Sequence, residues 1–262
     1  MVGRSVKDLF PVRSPAPLSA CVLEAKNLAA PPAVREANLR LRRGEILGIA
    51  GLVGSGRTEL VRALFGLERA QAGTIGVLGK PLPLHGLPET RIARGMGYLS
   101  EDRKGEGLAL SLSIADNITL TNFASCSRRG WINLAEQREQ AQKCAQAVQV
   151  RAATVDVAIQ KLSGGNQQKA AIGRLLHQGC EILLLDEPTR GVDVASKAQI
   201  YALIVSLARS GKAILMVSSY LPELFGVCDQ LAVMSRGCLS AARPIVEWTP
   251  ESVLQAAIGS SQ

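Results

Sequence analysis

Aromatic side chains are scarce, at 3% of the sequence, so any core must be packed from aliphatic residues. Neither pairs nor clusters of cysteine are present. Cys21, Cys126, Cys144, Cys180, Cys228 and Cys238 stand singly, with no C-x-x-C spacing, which excludes the usual zinc frameworks and fits inert thiols in a reducing cytosol. No apolar run approaches the ~18 residues of a membrane-crossing helix. The start, "MVGRSVKDLF", lacks the apolar stretch of a signal peptide. Any link to a membrane is therefore expected to pass through a partner.

What is present is a chain of 262 residues, 47% hydrophobic and carrying a net charge of +8. That suits one large globular domain. A basic balance is compatible with nucleic acid, anionic lipid or nucleotide and alone selects none. Residues 1–17 carry three prolines and read as a linker or arm. "CVLEAKNL" (21–28) and "REANLRLRRGEILGIAG" (35–51) suggest three strands, and "RTELVRALFGL" (57–67) a helix stopped near Gly66. "DNITLTNF" and "INLAEQREQAQKCAQAVQV" look helical; in the second, Asn133 and Glu136 form a capping pair, and Ala141, Cys144, Ala145 and Val148 share a face. "EILLLDEP" and "AILMVSS" are short apolar runs of the kind buried on both faces of a parallel sheet. A helix lies between them. Strands alternating with helices predict a doubly wound α/β sheet, interrupted at about 105–160 by a helical subdomain.

Three stretches carry chemistry. "GLVGSGRT" (51–58) has the spacing of a phosphate-cradling loop, G-x-x-x-x-G-K-[ST], with Arg57 in the lysine place. Backbone amides of such a loop converge on phosphate, and the following helix adds its positive end. "ILLLDE" places Asp186 and Glu187 at the carboxyl end of a buried strand, where Asp186 could hold Mg²⁺ and Glu187 could act as general base. "LSGGNQQKAAIGRLL" (162–176) opens a second anion-ready helix, with Ile172, Leu175 and Leu176 on its apolar side. One domain has little use for two phosphate clamps unless one serves a neighbour. Each stretch in isolation also reads as an ordinary turn.

Together they resemble the ABC ATPases: "LSGGNQQK" is similar to the signature motif, and "LLLDEPTRGVDV" to the Walker B strand and D-loop. "GLVGSGRTEL", "YLSEDRKGEGL", "DEPTRGVDV" and "VSSYLPEL" narrow the resemblance to the second ATPase half of the fused tandem subunits of bacterial monosaccharide importers. "MVGR" is similar to the segment joining the halves. The resemblance implies a P-loop NTPase (RecA-like) core with a mostly parallel sheet, an antiparallel β edge and an α-helical signature subdomain, over residues 18–262. It implies ATP and Mg²⁺ as cofactors. Gly51, Gly54, Ser55, Gly56, Arg57, Thr58 and Glu59 would wrap the phosphates, with Thr58 and Asp186 on the metal. Glu187 would be the base, Glu101 would fall at the Q-loop place, Ser219 at the switch-histidine place and Asp193 in the D-loop. Ser163, Gly164 and Gly165 would reach the nucleotide of a partner domain.

Arg57, Glu101 and Ser219 depart from the fully active pattern. Arginine is a wide planar fork that does not fit lysine's slot. Glutamate removes a donor and adds negative charge beside phosphate, and serine cannot supply histidine's positive charge. Losing one preorganised donor typically slows turnover ~10²–10³-fold, so a weak own site is expected, beside an intact signature that completes the ATP site of the partner half. The stacking tyrosine usual near the first strands is also missing. Partners implied are a first ATPase half, fused or separate, membrane permease subunits and, indirectly, a periplasmic sugar-binding protein. The place implied is the cytoplasmic face of the bacterial inner membrane. A nucleotide-gated binding module with negligible turnover and a nucleoside-importer half are the alternatives. Action on nucleic acid is disfavoured by the lack of zinc pairs and long coiled-coil insertions.

Overall fold

The computed structural model describes Phe10, Pro11 and residues 19–259; the rest of the expected arm lies outside the described residues. Strands β1 (Cys21–Ala30), β2 (Val34–Arg42) and β3 (Ile46–Gly51) precede helix α1 (Arg57–Phe65). Then come β4 (Ala72–Val77), β5 (Lys80–Leu82), α2 (Pro88–Ile92) and β6 (Met96–Leu99). A π-helical turn, Arg103–Gly107, leads to α3 (Ile114–Thr119), the hairpin β7 (Ser127–Arg128) and β8 (Trp131–Ile132), and α4 (Leu134–Ala147). The chain closes with α5 (Gly164–Gln178), β9 (Ile182–Asp186), α6 (Val194–Arg209), β10 (Ala213–Val217), α7 (Leu221–Val227), β11 (Gln230–Ser235), β12 (Cys238–Leu239), β13 (Arg243–Pro244) and α8 (Pro250–Ile258).

The central strands run in the order β11-β3-β10-β9-β6, every pairing parallel. An antiparallel sheet, β5-β4-β1-β2, joins at one side. The seam is β12, antiparallel to β11 and paired with β2 only at Cys238↔Glu36. Period-two alternation divides the parallel strands between two cores. Leu183 and Leu185 face the helical side with Ile172 and Ile204, whereas Ile182 and Leu184 pack toward α1, β1 and β2. All residues of β9 and β10 are buried, as the two apolar runs predict. Emptying one such leucine position to alanine typically costs about 2–5 kcal/mol.

Helix α1 stops at Gly66, as expected. Asn133 caps α4, accepting from the amides of Ala135 (3.1 Å) and Glu136 (3.3 Å). Ala141, Ala145 and Val148 are buried, with Cys144 packed partly against them. The interrupting segment is not wholly helical, since β7 and β8 form a small hairpin within it. Its helices α3 and α4 pack on α5, so the helical layer extends through the signature stretch. No helix among the described residues is long and apolar enough to cross a membrane. The sequence reading assigns no strand or helix to β4–β6, β11–β13 or α8. These are short, and several contain glycine or proline that breaks periodicity.

Candidate nucleotide site

Strand β3 delivers the chain into residues 52–56, and α1 starts at Arg57. The N-cap of α1 is Gly56, at φ 105°, with no side chain satisfying the first-turn amides. Those donors and the helix's positive end are left for an anion. Only glycine fits at 56: a Cβ there would lie 2.5 Å from the Ala33 carbonyl oxygen. Ser55 Oγ is buried with no partner, an orphan hydroxyl in the turn that leads into α1. Both observations fit a bound polyphosphate.

A cavity of about 470 Å³ is lined by residues 53–59 together with Glu101, Glu187, Arg190 and Ser219. A neighbouring one of about 480 Å³ shares Thr58, Glu101 and Arg190 and adds Arg62, Arg103 and Glu106. A larger cavity, about 580 Å³, lies on the antiparallel sheet beside Cys21, Arg40 and Lys80 and contains none of the sequence-predicted residues.

Inside the first cavity, Arg57 is turned inward. Its Nη1 donates to the Ser218 carbonyl at 2.8 Å, and Nη2 lies 3.9 Å from Glu187 Oε1. Burial draws its pKa down, opposed by Glu187, Asp186 and Glu59. Glu187 Oε1 also accepts from the Ser219 amide at 2.6 Å. The backbone of Glu187 is left-handed, φ 46°, a conformation that costs a non-glycine residue about 1–2 kcal/mol and turns the chain sharply after β9. Exposed Ser219 thus meets Glu187 through its backbone.

Asp186 is fully buried. Thr58 Oγ1 donates to its Oδ1 at 3.3 Å, and the Tyr98 hydroxyl to its Oδ2 at 3.4 Å. Burial pushes the carboxyl up to about 6, with Glu187 adding to the rise; the hydrogen bonds from Thr58 and Tyr98 and the Arg57 charge oppose it. Tyr98, pushed up to about 12 by burial and by Asp186, stays a donor. A dehydrated carboxylate beside a hydroxyl is an oxygen-only donor set that suits a hard cation retaining water and phosphate ligands. The residues therefore fit Mg²⁺: Thr58 and Asp186 would hold it, and it would supply neutralisation of phosphate charge. No cluster of three or more His, Cys, Asp or Glu occurs among the described residues to offer another metal site.

Glu101 is ion-paired with Arg190, and both line the cavity. Ser163, Gly164 and Gly165 are not part of it. They form the start of α5, where exposed Ser163 accepts from the Asn166 amide at 3.4 Å. Asp193 caps α6, accepting from the Ser196 amide at 2.9 Å, and likewise does not line the cavity. The structure thus gathers 53–59, 101, 186, 187 and 219 in one place and leaves 163–165 and 193 outside it. Sequence reasoning missed Tyr98 and Arg190. The signal for Tyr98 was available, because "MGYLSE" is a short apolar run ending in polar residues, as is "ILLLDE".

This arrangement, a parallel sheet with a glycine turn before α1 and paired acids after β9, defines a P-loop ATPase cassette. The fold is similar to a nucleotide-free ATP-binding cassette from an ABC transporter (TM-score 0.78, 20% identity, 92% of this chain and all of that one). It is also similar to the ADP- and Pi-bound post-hydrolysis dimer of the cassette MJ0796 (TM-score 0.72, 22% identity, 85% and 98%). Residues 34–190 match the ABC transporter family, and the chain belongs to it. Over its whole length the chain is 43% identical to the ribose import ATP-binding protein RbsA 1 of Rubrobacter xylanophilus, covering 52% of that protein. Over 98% of its length it is 42% identical to RbsA of Corynebacterium glutamicum, covering 49%. The chain spans about half the length of the curated relatives it matches.

Proposed function

We propose that the chain is the second ATP-binding half of a bacterial monosaccharide-import ATPase, which binds Mg·ATP, turns it over slowly in its own cavity and lends Ser163–Gly165 to the site of a first half. The names of the relatives, ribose import proteins twice as long, support the transport role and a second ATPase half. The observation that carries the reading is Arg57. Where lysine would face phosphate, this guanidinium is spent on the Ser218 carbonyl and faces Glu187. The amides, Thr58 and Asp186 remain for nucleotide and metal. Chemistry is weakened because the general base faces the Arg57 guanidinium at 3.9 Å and Ser219 offers no cation. Membrane permease subunits, supplied by a periplasmic sugar-binding protein, are the proposed partners at the cytoplasmic face of the inner membrane. The segment "SEDRKGEG" would link closure to transport.

The same engagement of Arg57 favours a second reading, a nucleotide-gated module without useful turnover. Steady-state ATP hydrolysis by the chain, beside the Arg57→Lys/Ser219→His variant, tests both. Slow turnover that rises about 10²-fold in the repaired form supports the first reading. Binding with no turnover in either supports the second. Wild-type turnover already equal to the repaired form removes the case for a weakened site.

A further inference from the structure

We propose that Arg190 is a phosphate-sensing residue: a triphosphate in the cavity competes with Glu101 for Arg190, and this exchange repositions the Ser163–Gly165 turn. The inference rests on the nucleotide-site reading above and adds how occupancy of one site reaches the other.

Arg190 and Glu101 line the same cavity as the phosphate loop and are ion-paired with each other. Their side chains are 63% and 33% exposed. An ion pair so open to water is weak and readily exchanged. A polyphosphate entering beside it repels Glu101 and offers Arg190 a doubly anionic partner of fork-matching geometry. Glutamate at position 101 is then more than a lost glutamine. It is the resting counterion that phosphate displaces.

Both members of the pair are tied to the start of α5. On one side, the Arg190 amide donates to the Glu187 carbonyl at 3.1 Å, closing the turn after β9. The next residue, Gly191, packs against Gly164 so closely that a Cβ on Gly164 would lie 3.0 Å from the Gly191 carbonyl oxygen. On the other side, two residues after Glu101, Arg103 Nη1 donates to the Gly164 carbonyl at 3.2 Å. Its Nε is buried without a partner. The loop between is stiff: Asp102 accepts from the Gly105 amide (2.9 Å), and Glu106 accepts from Ser100 Oγ (2.8 Å) and from Arg62 of α1 (2.9 Å). A shift of either partner therefore bears on Gly164, and π-helical turns such as Arg103–Gly107 recur at functional sites.

The test measures binding of Mg·ATP and Mg·ADP to the full chain by calorimetry, with amide hydrogen exchange of residues 163–167. Arg190→Gln is expected to weaken ATP about tenfold and ADP much less, since the sensed group is the terminal phosphate. Glu101→Gln is expected to tighten ATP about threefold by removing the competitor, and to do nothing when Arg190→Gln is already present. Nucleotide should alter exchange at 163–167 in the wild type and not in saturated Arg190→Gln. Arg190→Lys, which keeps the charge, should fall between. An equal gain from Glu101→Gln with and without Arg190 would mean simple charge removal and overturn the exchange. So would a response at 163–167 that survives Arg190→Gln. Failure of the wild type to bind Mg·ATP would instead sink the nucleotide-site reading itself, before any variant is compared.

Discussion

Helices α1 and α5 both begin at glycine-rich turns, yet their first turns are finished differently. At α1 the cap is a glycine with no side chain to satisfy the amides, and the loop lines a cavity shared with Glu101 and Glu187. At α5 a serine caps the turn with its own oxygen, exposed and away from that cavity. The first leaves its amides open toward the cavity, whereas the second has its serine exposed and its glycines packed against Gly191 and Ser196. On the function proposed above, the consequence would be a division of labour, with one end receiving nucleotide and the other serving the site of a partner half.

The strongest way to break this contrast is at the glycines. Gly56→Val should abolish nucleotide binding and destabilise the fold by about 2–4 kcal/mol, from backbone strain and the clash with Ala33. Gly165→Ala places a Cβ 2.3 Å from Ser196 Oγ. It should disturb the packing of α5 on α6 while leaving nucleotide affinity within threefold. Calorimetric titration and thermal unfolding of both variants check the pair.

Next is the buried acid. With its folded pKa raised to about 6 by burial, Asp186 contributes stability that is complete below the unfolded value near 3.9 and lost as pH rises through 6. Without metal or nucleotide, the protein should lose about 2.5 kcal/mol between pH 4 and 7.5 from this group alone. Asp186→Asn should remove that loss and unfold at a higher temperature at pH 7.5. Thermal scans across pH read the effect directly, and an Asp186→Asn variant that is less stable at pH 7.5 would refute the assignment.

Arg57→Met comes third, stranding the Ser218 carbonyl and leaving Glu187 without its counter-charge. The expected loss is about 1–3 kcal/mol by chemical unfolding, and smaller in a Glu187→Gln background. Equal losses in both backgrounds would show that the 3.9 Å pair is incidental. Smallest is Ser163→Ala, expected at about 0.5–1 kcal/mol, because the 3.4 Å capping bond is long.

Much of this contrast was legible in the sequence, though unevenly. Buried strands β9 and β10 announce themselves because a strand covered on both faces has no reason to alternate. The glycine turns are visible because their spacing is local. The inward turn of Arg57 was not, since its acceptor is 161 positions away and depends on β10 lying beside β3. Tyr98 reaches Asp186 only because β6 pairs with β9. The seam strand β12 is two residues long, too short for any periodicity to mark. Arg190 sits in a motif quoted for its neighbours, and nothing local distinguishes it from a solvated turn arginine until Glu101 is placed opposite.

The division of labour is most directly tested by ATP turnover in the assembled pair of halves, comparing Ser163→Ala with Glu187→Gln in this chain. The account predicts that Ser163→Ala removes most of the turnover, because it damages the faster site on the partner, and that Glu187→Gln removes little. Turnover lost with Glu187→Gln and retained with Ser163→Ala would contradict it.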